Sequence, residues 1–242
     1  MYAQDYDVML VNLVEPASAA GVLTDAKDAD IPVILFNREI DEKDLKISKN
    51  VWYVGTDARA AGVMQGKLLK DLWKKQSRIL DWNGNGMLDY VLVEGEESHF
   101  DAIRRTSGFL ETGAELPLNQ KGNILAEWKR ELAYEKFAAL DDEAVQNVEA
   151  VICNNDDMAL GVYDYYKGKN LKLPVIIGIN NSEEMHQKIM SGEMYGTIDN
   201  KMEDQVMEIC RLMQAILKKD TGSYQKVWYS TPKAIVKAEG TE

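Results

Sequence analysis

At 242 residues the chain is long enough for one or two domains and a sizeable core. Its 28 Lys plus Arg stand against 40 Asp plus Glu, and a formal charge of −12 repels phosphate backbones and anionic membrane faces, which argues against nucleic acid as a partner. With 45% hydrophobic residues it is no disordered acidic tail, and no apolar run approaches the ~18 to 20 residues that span a bilayer. The first residues, Met1 to Asp7, carry neither a basic n-region nor an apolar h-region, so the sequence fits either a cytoplasmic protein or a mature exported one. Cys153 and Cys210 lack zinc or CxxC spacing, and each lies in an apolar stretch that suits a buried thiol.

Short apolar runs alternate with amphipathic ones, the pattern of parallel sheets flanked by helices. Val8 to Leu13 reads as a strand, Ala17 to Ala29 as a helix, Val33 to Asn37 and Val51 to Val54 as strands joined by a polar connection. A helix follows from Ala58 to Lys75, its buried stripe expected at Ala61, Met64, Leu68 and Leu72. Further strands are expected at Tyr90–Val93, Asn123–Ala126, Ala150–Cys153, Val175–Ile179 and Tyr195–Ile198. Helices separate them near Ala102–Thr112, Arg130–Leu140, Met158–Tyr166 and Glu183–Ser191. A long helix from Met202 to Lys218 and closing strands at Val227–Tyr229 and Ala234–Lys237 complete the series. Gly55-Thr56-Asp57 and Asp199-Asn200-Lys201 read either as hinges or as ordinary strand-to-helix loops.

Asp81-Trp82-Asn83-Gly84-Asn85-Gly86-Met87-Leu88-Asp89 is the most specific local motif. Oxygen side chains at positions one, three and five with Gly at six are the first half of a calcium loop; Met87 offers a carbonyl at seven and Asp89 sits at nine. Position twelve, where an EF-hand needs a bidentate Glu, is Leu92, so the loop is either closed by a distant carboxylate or is only a polar turn. A second group lies at strand ends, where open parallel sheets bind their ligands. His99, Asp101 and Arg105 follow one strand, Asn154-Asn155-Asp156 another, Asn180 a third and Asn12 a fourth, with Trp128 two residues past a fifth. Singly, each has a structural reading: Asp101 as an N-cap, Arg105 as half of an ion pair, His99 as a structural helix-entry residue. Together they mix hydrogen-bonding groups with one flat apolar ring, the mixture a sugar needs. No GxGxxG after a strand, P-loop, GxSxG elbow or HExxH is present, and Asn outnumbers Asp at the strand ends, which disfavours a glycosidase.

At these residues the sequence resembles the bacterial galactose/glucose-binding proteins, the type I solute-binding components of sugar ABC transporters. The similarity runs from about Asp7 to near Ala238, through Asn12-Leu13-Val14-Glu15-Pro16-Ala17, Tyr53-Val54-Gly55-Thr56-Asp57, the Asp81 loop, His99-Phe100-Asp101, Asn154-Asn155-Asp156 and Gly196-Thr197. The resemblance implies an α/β, type I periplasmic-binding-protein fold: two Rossmann-like lobes with parallel sheets, joined by three crossovers, with a monosaccharide closed in the cleft between them. It implies that Asn12, His99, Asp101, Arg105, Asn155 and Asn200 hydrogen-bond the sugar while Trp128 stacks on it. Asn180 takes a position where the family usually has an Asp, so a charge-assisted bond of ~1.5 to 3 kcal/mol becomes an ordinary one of ~0.5 to 1.5.

The resemblance further implies a structural calcium ion held by Asp81, Asn83, Asn85, the Met87 carbonyl, Asp89 and, closing the loop, Glu149. It implies no enzymatic activity, an extracytoplasmic location and a membrane permease as partner. A sugar-sensing effector module of the same fold, in a regulator or chemoreceptor, is the alternative, and a carbohydrate-active enzyme the third reading. Residues 1–56 plus 200–242 are expected to form a partial first lobe and 57–199 the second, calcium-bearing one. Two βα units of the family's first lobe have no counterpart in the 242 residues, so weak hexose affinity and self-association are expected.

Overall fold

Val33, Ile34 and Leu35 are consecutive and apolar, which suits a strand covered on both faces. In the computed structural model, which describes residues 6–13, 15–140 and 145–237, all three are buried in β2 (Val33–Phe36). Val33 and Leu35 share a core with Leu23, Ala19 and Ala26 of α1 (Ala19–Asp28), which recur at i, i+4 and i+7. Ile34, on the other face, packs with Leu212 and Ile216 of the helix Met202–Leu217. The lobe residues Met1–Asp5, Val14 and Ala238–Glu242 lie outside the described residues.

The chain divides into two compact units. Met1–Asp57 and Lys201–Thr231 make the first. Its parallel sheet has the order β1-β2-β3-β9, with β1 (Met9–Val11), β3 (Val51–Thr56) and β9 (Val227–Ser230). Gly55 and Thr56, read above as part of a hinge or loop, continue β3; a side chain at Gly55 would strike the Tyr53 ring, whose hydroxyl donates to Asn37 O at 2.9 Å. The polar connection before β3 holds a short helix the sequence pattern did not signal, α2 (Glu42–Leu45), capped by Asp41 accepting from Lys43 N.

The second unit takes in Ala58–Asn200 and Pro232–Glu242. In chain order it holds α3 (Ala58–Leu80), β4 (Leu88–Glu94), α4 (Phe100–Gly113), β5 (Leu118–Leu125), α5 (Arg130–Ala138), β6 (Ala150–Cys153), α6 (Asp156–Gly168), β7 (Val175–Ile179), α7 (Glu183–Ser191), β8 (Gly196–Asp199) and β10 (Lys233–Val236). The long helix of the first unit is α8 (Met202–Leu217). The second sheet runs β10-β8-β7-β6-β4-β5, parallel except for β10, which pairs antiparallel with β8. Residues 233–236, expected with the first lobe, thus sit in the second unit, where they give β8 a hydrogen-bonded neighbour. β5 begins five residues before its expected start because Asn119, Gln120 and Lys121 lie on an edge strand and carry no apolar signal.

The α3 helix runs five residues past its expected end, across non-helical φ/ψ at Gln76, and its buried stripe differs from the expected one. Ala61, Gly62, Gln65, Gly66, Leu69 and Leu72 are buried, whereas Met64 and Leu68 are only partly so. Glycines on both helices let α3 and α4 approach: a Cβ on Gly62 of α3 would lie 1.9 Å from Arg105 O, and one on Gly108 of α4 2.3 Å from Arg59 O. Gly62→Ala gains about 1 kcal/mol of helix propensity, but overpacking against rigid backbone costs ~1 to 3. The expected result is a lower melting temperature, read by circular dichroism; a rise would mean the helices part without cost. Cys153 is buried as expected, but Cys210 is exposed, because it lies off the covered stripe of α8. Among the described residues no helix is long and apolar enough to cross a membrane.

Candidate functional site

Five parallel strands of the second unit end together, and the polar residues that follow them meet there. After β4, His99 rather than Asp101 is the N-cap of α4: its Nδ1 accepts from Asp101 N at 3.1 Å. This frees the Asp101 carboxylate, which sits 3.6 Å from the Arg105 guanidinium one turn on. The pair is not a surface one, for Asp101 and Arg105 are only 7% and 8% exposed. Arg105 Nη1 donates to Asn154 O at 2.7 Å, tying α4 to the end of β6.

Trp128 follows β5 in a left-handed turn, with φ of 65°. Its half-buried ring covers Gly95, where any side chain would strike the indole. His99 meets the indole edge-on at 4.9 Å between centroids and 74° between planes, and the Arg105 guanidinium lies 5.6 Å from it. Asn155, the N-cap of α6, accepts from Met158 N at 3.0 Å and donates to Trp128 O at 3.2 Å. His99, Asp101, Arg105, Trp128 and Asn155 therefore form one connected group. Asn154, not singled out as a ligand, is its buried hub: its Oδ1 accepts from Gly95 N and its Nδ2 donates to Thr106 Oγ1.

Asn180 and Asn200 follow β7 and β8 and pair with each other, Asn200 Nδ2 donating to Asn180 Oδ1 at 3.1 Å. Asn12 follows β1 in the first unit and is exposed. The loop that follows β7 is tied through Ser182 N to Asp156, the last residue of the Asn154-Asn155-Asp156 group, which is 1% exposed. Burial pushes its carboxyl up, while the Thr197 hydroxyl and Ser182 N–H that donate to it at 2.6 and 2.7 Å oppose that shift. Gln65 of α3 is likewise buried, its Nε2 donating to Cys153 O at 2.9 Å and reaching the carbonyls of Ile177 and Gly178.

Asp101 Oδ1 and Trp128 Nε1, both buried in the connected group, have no hydrogen-bond partner among the described residues. One can only accept and the other only donate, and leaving such atoms unmet costs about 1 to 3 kcal/mol each. A hydroxyl-bearing ligand answers both needs, because each O–H donates and accepts.

The Asp81–Asp89 loop lies at the other end of the strands, leading into β4. Gly84 and Gly86 take φ of 71° and 79°, the turns that fold the loop on itself. Asp81 accepts from Asn85 N and Gly86 N at 3.0 and 2.9 Å, and Asp89 Oδ2 accepts from the amides of Asn83 and Asn85 at 3.0 and 3.2 Å. Glu149, 60 residues from Asp89, accepts from Trp82 N, Asn83 N and Asp89 N at 2.8, 3.3 and 2.9 Å. Burial pushes the Glu149 carboxyl up and those three backbone donors oppose it. Among the described residues no three His, Cys, Asp or Glu side chains cluster as a metal group by themselves. A cation at this loop would have to draw on amide and carbonyl oxygens as well, and such an all-oxygen donor set fits a hard divalent ion.

A family described as a periplasmic binding protein domain matches residues 1–221. The D-galactose/methyl-galactoside binding periplasmic protein of Haemophilus influenzae is 32% identical over 228 residues, covering 91% of this chain and 67% of that protein. The galactofuranose-binding protein of Escherichia coli is 28% identical over 205 residues, covering 81% of this chain and 60% of that protein. The chain thus spans about two thirds or less of these curated relatives. An ABC transporter periplasmic solute-binding protein from Actinobacillus succinogenes, solved with bound D-allose, shares the fold, with a TM-score of 0.83 at 21% identity over 98% of this chain and 80% of that one.

Proposed function

Because the chain belongs to the family of periplasmic binding protein domains, we propose that it serves as the solute-binding component of a sugar ABC transporter, outside the cytoplasm, delivering to a membrane permease. Its relatives are binding proteins rather than enzymes, and its two α/β units with parallel-dominated sheets are those of the type I periplasmic-binding-protein fold. We assign as ligand a monosaccharide of the galactose or glucose type, in line with the 32% identical relative.

The observation that carries this reading is the orphaned pair, Asp101 Oδ1 and Trp128 Nε1, in a group whose other members hold one another in place. Asp101, Arg105, His99, Asn155, Asn180 and Asn200 supply hydroxyl partners in this reading, and the indole supplies the apolar face. The test is titration of the chain with galactose, glucose and ribose by NMR, which reads dissociation constants into the millimolar range. Saturable shifts of the Trp128 indole N–H with a hexose are expected. No response to any of the three sugars would overturn the reading.

We also assign the Asp81 loop to calcium, with Asp81, Asn83, Asn85, the Met87 carbonyl, Asp89 and Glu149 as ligands. Its role is structural, cross-linking the loop before β4 to the entry of β6.

A further inference from the structure

The loop that presents Asn180 holds an unfavourable backbone shape. Asn180 and Asn181 are consecutive residues at φ of 130° and 60°, a region L-residues rarely enter and then mostly as single Asn or Asp. Neighbouring structure must impose that shape. Three backbone N–H groups of the loop are anchored: Asn180 N donates to Ile198 O at 2.8 Å, Asn181 N to Thr197 Oγ1 at 3.4 Å and Ser182 N to Asp156 Oδ2 at 2.7 Å. The last two anchors are one device, since Thr197 Oγ1 donates to the other Asp156 oxygen at 2.6 Å. Gly178 makes room for it, because a Cβ there would lie 2.2 Å from Asp156 Oδ1. Thr197 is fully buried and Asp156 nearly so, which makes the geometry rigid.

We propose that Asp156 and Thr197 are positioning residues that act on ligand recognition through Asn180, holding its strained loop so that the Asn180–Asn200 amide pair faces the ligand. The proposal rests on the sugar-binding reading above, and it ranks the buried pair with the residues that touch the sugar. Asp156 is 1% exposed and its two oxygens accept from Thr197 and Ser182, so its action on the ligand runs through the loop.

Thr197→Val keeps the volume and the β-strand preference while deleting both hydroxyl bonds, so the sheet should survive. Affinity for the hexose should fall about tenfold, Thr197→Ser should restore it, and in an Asn180→Ala background the same Thr197→Val change should cost nothing further. An equal loss in both backgrounds, or no loss in the first, would overturn the proposal. Amide hydrogen exchange supplies a readout that needs no sugar. Faster exchange in Thr197→Val confined to Asn181 and Ser182, with β7 amides unchanged, supports the positioning role even if no monosaccharide binds and the functional reading fails. Unchanged exchange there, or loss of protection across β7 as a whole, refutes it.

Discussion

Replacing Arg105 with alanine is expected to weaken hexose binding by about a hundredfold or more while leaving the fold intact. The guanidinium is buried, donates to Asn154 O at 2.7 Å, lies 3.6 Å from the Asp101 carboxylate and packs 5.6 Å from the indole. Its removal deletes a charge-assisted donor worth ~1.5 to 3 kcal/mol and leaves the buried Asp101 carboxylate without the guanidinium that holds and orients it. At 1.4 kcal/mol per factor of ten the two effects together exceed about two decades. Arg105→Lys should recover only part of the loss, since an ammonium is a point charge and cannot span Asp101 and Asn154 as a fork does. Trp128→Ala should act in the same direction by deleting the ring over Gly95 and the orphaned Nε1. If both alanine variants bind as the parent chain does, with unaltered circular dichroism, the ligand contacts other residues.

Chelation of divalent cations is expected to lower the melting temperature of the second unit by about 5 to 10 °C. A ligand bound only by the native state at a hundred times its dissociation constant adds ~2.7 kcal/mol, and each kcal/mol moves a unit of this size by ~2 to 4 °C. The physical source is charge: a cation seated in the loop would offset the carboxylates of Asp81, Asp89 and Glu149, which accept from loop N–H groups. Glu149→Gln should lower the melt in any buffer, because one of its backbone donors then faces an amide nitrogen. The decisive reading is the difference between EDTA and added calcium, which should vanish in the variant and persist in the parent. A parent chain that melts identically in both buffers would make the loop a polar turn closed by Glu149 alone.

Much of the candidate site was legible because its residues are local to strand ends. His99, Asp101 and Arg105 share one helical turn and its cap, and the apolar run before them announces where β4 stops. What those residues do to each other was not legible. The bond from Arg105 to Asn154 O, 49 residues away, and the turn at Trp128 that lays the indole over Gly95 depend on groups brought together by the sheet. Asp156 was legible as part of a strand-end group, but not the loop it holds, because its partners Ser182 and Thr197 lie 26 and 41 residues away.

The sequence by itself determined the elements whose signals are dense and local. β7 at Val175–Ile179 and α7 at Glu183–Ser191 stand where the apolar run and the amphipathic period put them, and α7 stops at Gly192, whose φ of 83° is the left-handed end a glycine permits. Tertiary structure alone decided the rest. Which sheet takes Lys233–Val236, how far the polar edge strand β5 extends, and why α3 buries Gly62 and Gly66 in place of Met64 and Leu68 all turn on a neighbour distant in the chain. Periodicity records which face of an element is apolar, whereas edge pairing and close helix approach are settled by the backbone of the partner, which leaves no local trace in composition.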